Sequence, residues 1–98
     1  MSNYHKRVDA NQTRVVAALR KAGATVQHLH AVGHGCPDLL VGYHGHTILM
    51  EVKDGNKPPS KRELTDDEKE WMLTWKGGYV FVVLNPQDAV FILPRYKI

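Results

Sequence analysis

Asp38, Glu51 and Lys53 are the residues whose types and spacing could do chemistry in this chain. Asp38 follows Pro37, and thirteen positions after it stands Glu51-Val52-Lys53. A hairpin pairs residues whose numbers have a constant sum, so a turn centred near His44-Gly45 sets Asp38 almost opposite Glu51. Directly opposed side chains have Cβ atoms about 4.5–5.5 Å apart. Two carboxylates that close repel unless a cation sits between them. Hard divalent cations such as Mg²⁺ bind through one or two carboxylates plus water and phosphate oxygens. Lys53 shares a strand face with Glu51 and brings an ammonium beside that centre. There it could orient an attacking water or stabilise charge developing on a phosphate. Taken singly these features are ordinary, since Glu-x-Lys is common on solvated strands and Asp after Pro is common in turns. Here the charges interrupt apolar strands (Leu39, Leu40, Val41; Ile48, Leu49, Met50). Unpaired charge is costly in such a setting, and its presence asks for a function.

The surrounding elements must hold these residues in place. Val15, Val16, Leu19 and Ala22 recur at helical spacing and predict a helix from Ala10 to Ala22, with Asp9 as N-cap and Gly23 as the stop. Thr25–His30 reads as a strand, and Val32-Gly-His-Gly-Cys-Pro-Asp38 as a loop. Strands Asp38–Tyr43 and Thr47–Lys53 follow, joined by a tight connection at His44-Gly45-His46. In the second of them Ile48, Met50 and Val52 alternate with Leu49, Glu51 and Lys53. Asp54 to Glu63 is a polar, partly basic loop, and Thr65-Asp-Asp-Glu68 matches a capping box opening a second helix with Trp71, Met72 and Trp75 as its apolar stripe. Gly77-Gly78 ends that helix. Two more strands, Tyr79–Leu84 and Ala89–Leu93, are expected to flank a turn at Asn85-Pro-Gln-Asp88. The order α-β-β-β-α-β-β predicts a mixed sheet covered by helices, an α/β sandwich.

Composition bounds the partners. The 98 residues, 43% hydrophobic and 23% charged, suit one folded domain spanning residues 1–98 and argue against disorder. Thirteen Lys and Arg against ten Asp and Glu leave a charge of +3, which permits a polyanionic partner without requiring one. Cys36 is the only cysteine, which excludes an internal disulfide framework and suits a reducing compartment. No apolar run approaches the roughly 18 residues of a membrane span, and the first seven residues have no apolar leader core. A cytoplasmic protein with no membrane and no organic cofactor is expected.

Gly35-Cys-Pro-Asp-Leu-Leu-Val-Gly42, Met50-Glu-Val-Lys-Asp-Gly55 and Leu64-Thr-Asp-Asp-Glu-Lys-Glu-Trp71 together resemble a PD-(D/E)XK nuclease. The likeness is greatest to the small stand-alone virus-type replication-repair (VRR-NUC) nucleases, including phage Holliday-junction-resolvase-like proteins, and runs from about Val8 to Leu93. The resemblance implies a restriction-endonuclease-like αβββαβ core and a metal-dependent phosphodiesterase acting on DNA, duplex or branched, in a bacterial or phage-infected cell. It also implies that Asp38 and Glu51 bind Mg²⁺ or Mn²⁺, that the Val52 carbonyl adds a ligand, that Lys53 is catalytic, and that the protein works as a homodimer. One departure stands out. Many relatives carry a first-helix glutamate, where this chain reads Val8-Asp-Ala-Asn-Gln12. Asp9 replaces the acid, Gln12 orients a water or contacts a phosphate, or Asp9 is simply the helix cap.

Other signals carry less. His28, His30, His34 and Cys36 suggest a zinc site by residue type, yet their spacing matches no common finger or ribbon. His34, beside Asp38, is instead a candidate for touching the scissile phosphate or DNA backbone, as are Lys57, Lys61 and Arg62 in the loop after the active strand. Arg14, Arg20 and Lys21 on the first helix read equally well as phosphate contacts or surface charge. Trp71 and Trp75 are expected in the core rather than as base-stacking platforms. No base-reading motif is present. The apolar segment Val90-Phe-Ile-Leu-Pro94, with Tyr79, Phe81 and Tyr96, offers surface for a second subunit. The alternative reading is a catalytically degenerate nucleic-acid-binding module on the same fold.

Overall fold

The computed structural model describes residues 9–98. Helix α1 (Ala10–Lys21) starts where the Asp9 carboxylate accepts the Gln12 N–H at 2.8 Å, so the aspartate that precedes the helix is its N-cap. Its apolar stripe, Val15, Val16 and Leu19, is buried. Strands β1 (Thr25–His28), β2 (Leu39–Tyr43) and β3 (His46–Val52) form an antiparallel meander. A two-residue turn at His44-Gly45 pairs Tyr43 with His46 and Leu39 with Met50. β1 stops two residues short of the expected end, although the Leu29 N–H still reaches the Asp38 carbonyl at 2.7 Å. After a 3₁₀ turn at Pro59–Lys61, helix α2 (Asp66–Thr74) opens with both bonds of the Thr65/Glu68 capping box in place. Strand β4 (Val80–Val83) then pairs with β3 in parallel, giving a four-stranded mixed sheet in the order β1-β2-β3-β4.

The segment expected to be a fifth strand is a helix, α3 (Pro86–Ile92). The residues assigned to a turn form its start: the Asn85 side chain accepts the Asp88 N–H at 2.8 Å, and Pro86 occupies the first turn. Pro is favoured there because its missing N–H has no intrahelical partner to lose. Asp88 turns back to accept the Leu84 N–H at 3.2 Å, closing the β4–α3 corner. A five-residue apolar run satisfies strand and helix periodicities alike, and Ala89 and Leu93, four apart, are the pair that is buried.

Period-two alternation gives the sheet two different faces. Leu39, Val41, Ile48, Met50, Val52 and Val83 point to one face and meet α1 and α3 in the buried core. The residues between them, including Leu40, Leu49 and Glu51, point to the face that carries α2. That second face is covered thinly, since none of the nine residues of α2 is buried. Among the described residues no helix is long and apolar enough to cross a membrane.

Candidate active site

The β2–β3 register extends by one step to set Asp38 opposite Glu51, on the α2 face. Asp38 does not point away from its neighbour strand: its Oδ2 accepts the Val52 N–H at 2.8 Å. Glu51 is 3% exposed, and its Oε1 is buried without a hydrogen-bond partner. The other oxygen, Oε2, lies 3.5 Å from Lys53 Nζ, and the same ammonium donates to Glu68 Oε1 at 2.8 Å. Lys53 is anchored at its backbone as well. Its N–H donates to the Val83 carbonyl at 2.9 Å, and its carbonyl accepts from Asn11 Nδ2 at 2.9 Å. Asn11 also donates to the Leu84 carbonyl at 3.3 Å, so α1 pins the ends of β3 and β4 together.

Charge is concentrated here with little to neutralise it. Burial, then the charge of Asp38, then the Glu68 carboxyl push the Glu51 pKa up to about 9. Burial also raises Asp38, against the pull of the Val52 N–H. For Lys53, burial favours the neutral amine, but the bond to Glu68 and the charges of Glu68 and Glu51 together hold its pKa above the usual lysine range. Burial works against ionised Glu68 too, yet Lys53 and the Thr65 N–H outweigh it and hold that carboxyl low. An ionised carboxylate only accepts hydrogen bonds. Lys53 brings one positive charge to three neighbouring acids, so Glu51 needs either a proton or a second cation beside it. A hard divalent ion fits that need, with Asp38 and Glu51 as its carboxylates and the carbonyl of Val52, the residue after Glu51, as a further oxygen donor. Among the described residues, no group of three or more His, Cys, Asp or Glu side chains is arranged to hold a metal. The donor set is thus a pair of acids rather than a full cage.

Two of the remaining candidates are engaged elsewhere. Asp9 is committed to capping α1. Gln12 is buried and lies on the α1 side of the sheet, its Nε2 3.2 Å from His28 Nδ1. His34 is exposed in the loop before Asp38. Lys57 and Lys61 are exposed, while Arg62 is half-buried and donates from Nε to the Lys57 carbonyl at 2.8 Å, bracing the loop. On α1, Arg14 and Lys21 are exposed, and Arg20 donates to the Val26 carbonyl at 3.1 Å. Within the histidine run, His28 and His30 meet edge to face at 5.7 Å.

Two residues with a part in the site were not singled out from sequence. Glu68 was read only as a capping residue, although a lysine among apolar strands calls for a buried anion. Asn11 gave no signal, since a buried Asn on a helix is visible only once its acceptors are placed. The tryptophans correct an expectation: Trp71 is half-buried and Trp75 is 45% exposed, so neither belongs to the core. They stack on each other at 4.7 Å and 18° and wall a cavity between α2 and the sheet.

Comparisons with models of protein families, with characterised proteins and with solved structures return no match.

Proposed function

We propose that this chain is a Mg²⁺- or Mn²⁺-dependent endodeoxyribonuclease of the PD-(D/E)XK class, on a restriction-endonuclease-like core, that hydrolyses phosphodiester bonds in branched or structured DNA. The observation that carries the reading is the buried Glu51 carboxyl, one oxygen without a donor, set beside Asp38 and Lys53 on one sheet face. A bound divalent ion would supply Lewis-acid polarisation and an acidified water. Asp38 and Glu51 would hold it, with the Val52 carbonyl as a further ligand. Asp38 is already oriented by the Val52 N–H. Lys53, kept charged by Glu68 and Glu51, would stabilise the negative charge that builds on the phosphate. Exposed His34, Lys57 and Lys61, with Arg62 bracing the loop at the Lys57 carbonyl, supply contacts to the DNA backbone.

A cleavage panel of single-stranded, duplex, flap and four-way-junction DNA with Mg²⁺ and Mn²⁺ tests the reading. Asp38→Ala or Glu51→Ala abolishes cleavage while the fold persists. Full activity in either variant, or none in the wild type on every substrate with both metals, overturns it.

The second reading, a degenerate nucleic-acid-binding module in the same cytoplasmic setting, is favoured by one observation. The only acid at the start of α1, Asp9, caps the helix and adds nothing to the acidic pair. Calorimetric titration with Mn²⁺ discriminates, because a degenerate site gives no saturable heat.

A further inference from the structure

Glu68, Trp71 and Trp75 are spaced i, i+3 and i+7, which places them on one face of α2. The face that delivers a carboxylate to Lys53 therefore also presents two indoles toward the sheet. Gly77 lies close against the outer one: a Cβ there would come within 2.6 Å of the Trp75 indole nitrogen, so a larger residue would push the ring aside. Beneath the indoles lies a cavity of about 470 Å³, floored by Leu40 and Leu49 and edged by Cys36 and Thr47. That volume is within the range of ligand sites. Leu40 and Leu49 oppose each other two residues along from Asp38 and Glu51 and on the same face, a step of about 7 Å. Cys36 joins the two regions, since it edges the cavity and stands two residues before Asp38.

The geometry points to a nucleobase subsite in this cavity, taking one unpaired base of the strand whose phosphate lies at the carboxylates. It rests on the nuclease reading above. The walls suit a flat π-face with a few polar edge atoms, and the step of about 7 Å along the strands puts the cavity next to the carboxylates. A base paired within a duplex cannot reach the cavity without leaving its stack, so the subsite selects single-stranded or frayed positions next to the cut.

Trp71 and Trp75 are the only two tryptophans in the chain, so fluorescence excited beyond the tyrosine absorption band reports on the two indoles of this cavity. Titrating the metal-free wild type with single-stranded oligothymidylate should quench that fluorescence saturably. An abasic deoxyribose-phosphate oligomer of equal length, with the same charge, should leave it unchanged. Equal responses to the two oligomers, or no response to either, overturn the subsite. The cleavage panel remains a separate test of the nuclease reading, and quenching without cleavage would sink that reading while leaving the subsite standing. Trp75→Ala, with the wild-type melting curve confirming its fold, should weaken anisotropy-measured binding of labelled oligothymidylate about tenfold, the scale of one stacking contact. Leu49→Phe, which fills the floor, should do the same. Wild-type affinity in both variants would also overturn the subsite.

Discussion

Glu51 sits among acceptors, and this sets its behaviour without metal. Its folded-state pKa is raised from the ordinary carboxylate range to about 9, first by burial and then by Asp38. A raised folded pKa means the group's contribution to stability is fully present below its unfolded value and is lost as pH rises through the folded value. The metal-free protein should therefore melt at lower temperature at about pH 9 than at about pH 5. Glu51→Gln should flatten that slope and raise the melting temperature on the alkaline side, at the expense of activity. Thermal unfolding in chelator across this range checks it, and an unchanged slope in the variant would contradict the account. Lys53 responds differently because it is not a ligand in the proposed site. Lys53→Ala should cut the cleavage rate far more than it cuts Mn²⁺ affinity, as single-turnover kinetics beside calorimetry would show.

At the scale of elements, α2 is the part on which the site most depends, and it is held by few contacts. One of these is Gly35, at φ +82°, where an added Cβ would run into the Asp67 carbonyl in the first turn of α2. Gly33 gives a matched control: its φ is +76°, but nothing lies within 4 Å of the Cβ position. Gly33→Ala should cost only left-handed backbone strain, about 1–2 kcal/mol. Gly35→Ala adds a backbone collision and should cost clearly more, while also displacing Glu68 from Lys53 and lowering cleavage. Chemical denaturation of the two variants measures the difference, and equal costs would show that the loop does not brace α2. The Thr65/Glu68 capping box gives a second handle. Glu68→Gln keeps a side chain able to cap, whereas Glu68→Ala forfeits the cap at about 1 kcal/mol.

For the molecule as a whole, the open questions are charge and association. A net charge of +3 is modest, so DNA binding should rest on a few local cations. Lys57→Ala or Lys61→Ala should each weaken binding across all sequences and reduce the slope of log affinity against log salt by about one. Phe91, Tyr96 and Ile98 are 79%, 70% and 80% exposed, which supports the proposal that two copies associate. Two identical centres related by two-fold symmetry would face two DNA strands. Light scattering at micromolar concentration should give twice the 11.1 kDa chain mass, and Phe91→Lys should halve it. A monomer that persists with DNA present rules the dimer out.

How much was legible from sequence followed the range of the forces involved. Asp9, Thr65 and Asn85 lie at helix starts because a cap bonds to a residue three positions on, and the first two were readable for that reason. The Asp38–Glu51 opposition was readable because a two-residue turn and a two-residue side-chain period leave one register that buries the apolar set. α3 was not, since a short apolar run fits strand and helix equally, and packing against α1 decided between them. Glu68 reaching Lys53, Asn11 clamping β3 to β4, and the tryptophans walling a cavity instead of filling the core all depend on contacts between distant parts of the chain. Local rules determine which residues start helices and pair in hairpins. Which face of the sheet is sealed, and which is left with a buried acid lacking a donor, was decided only when α1 and α3 took one side and left α2 the other.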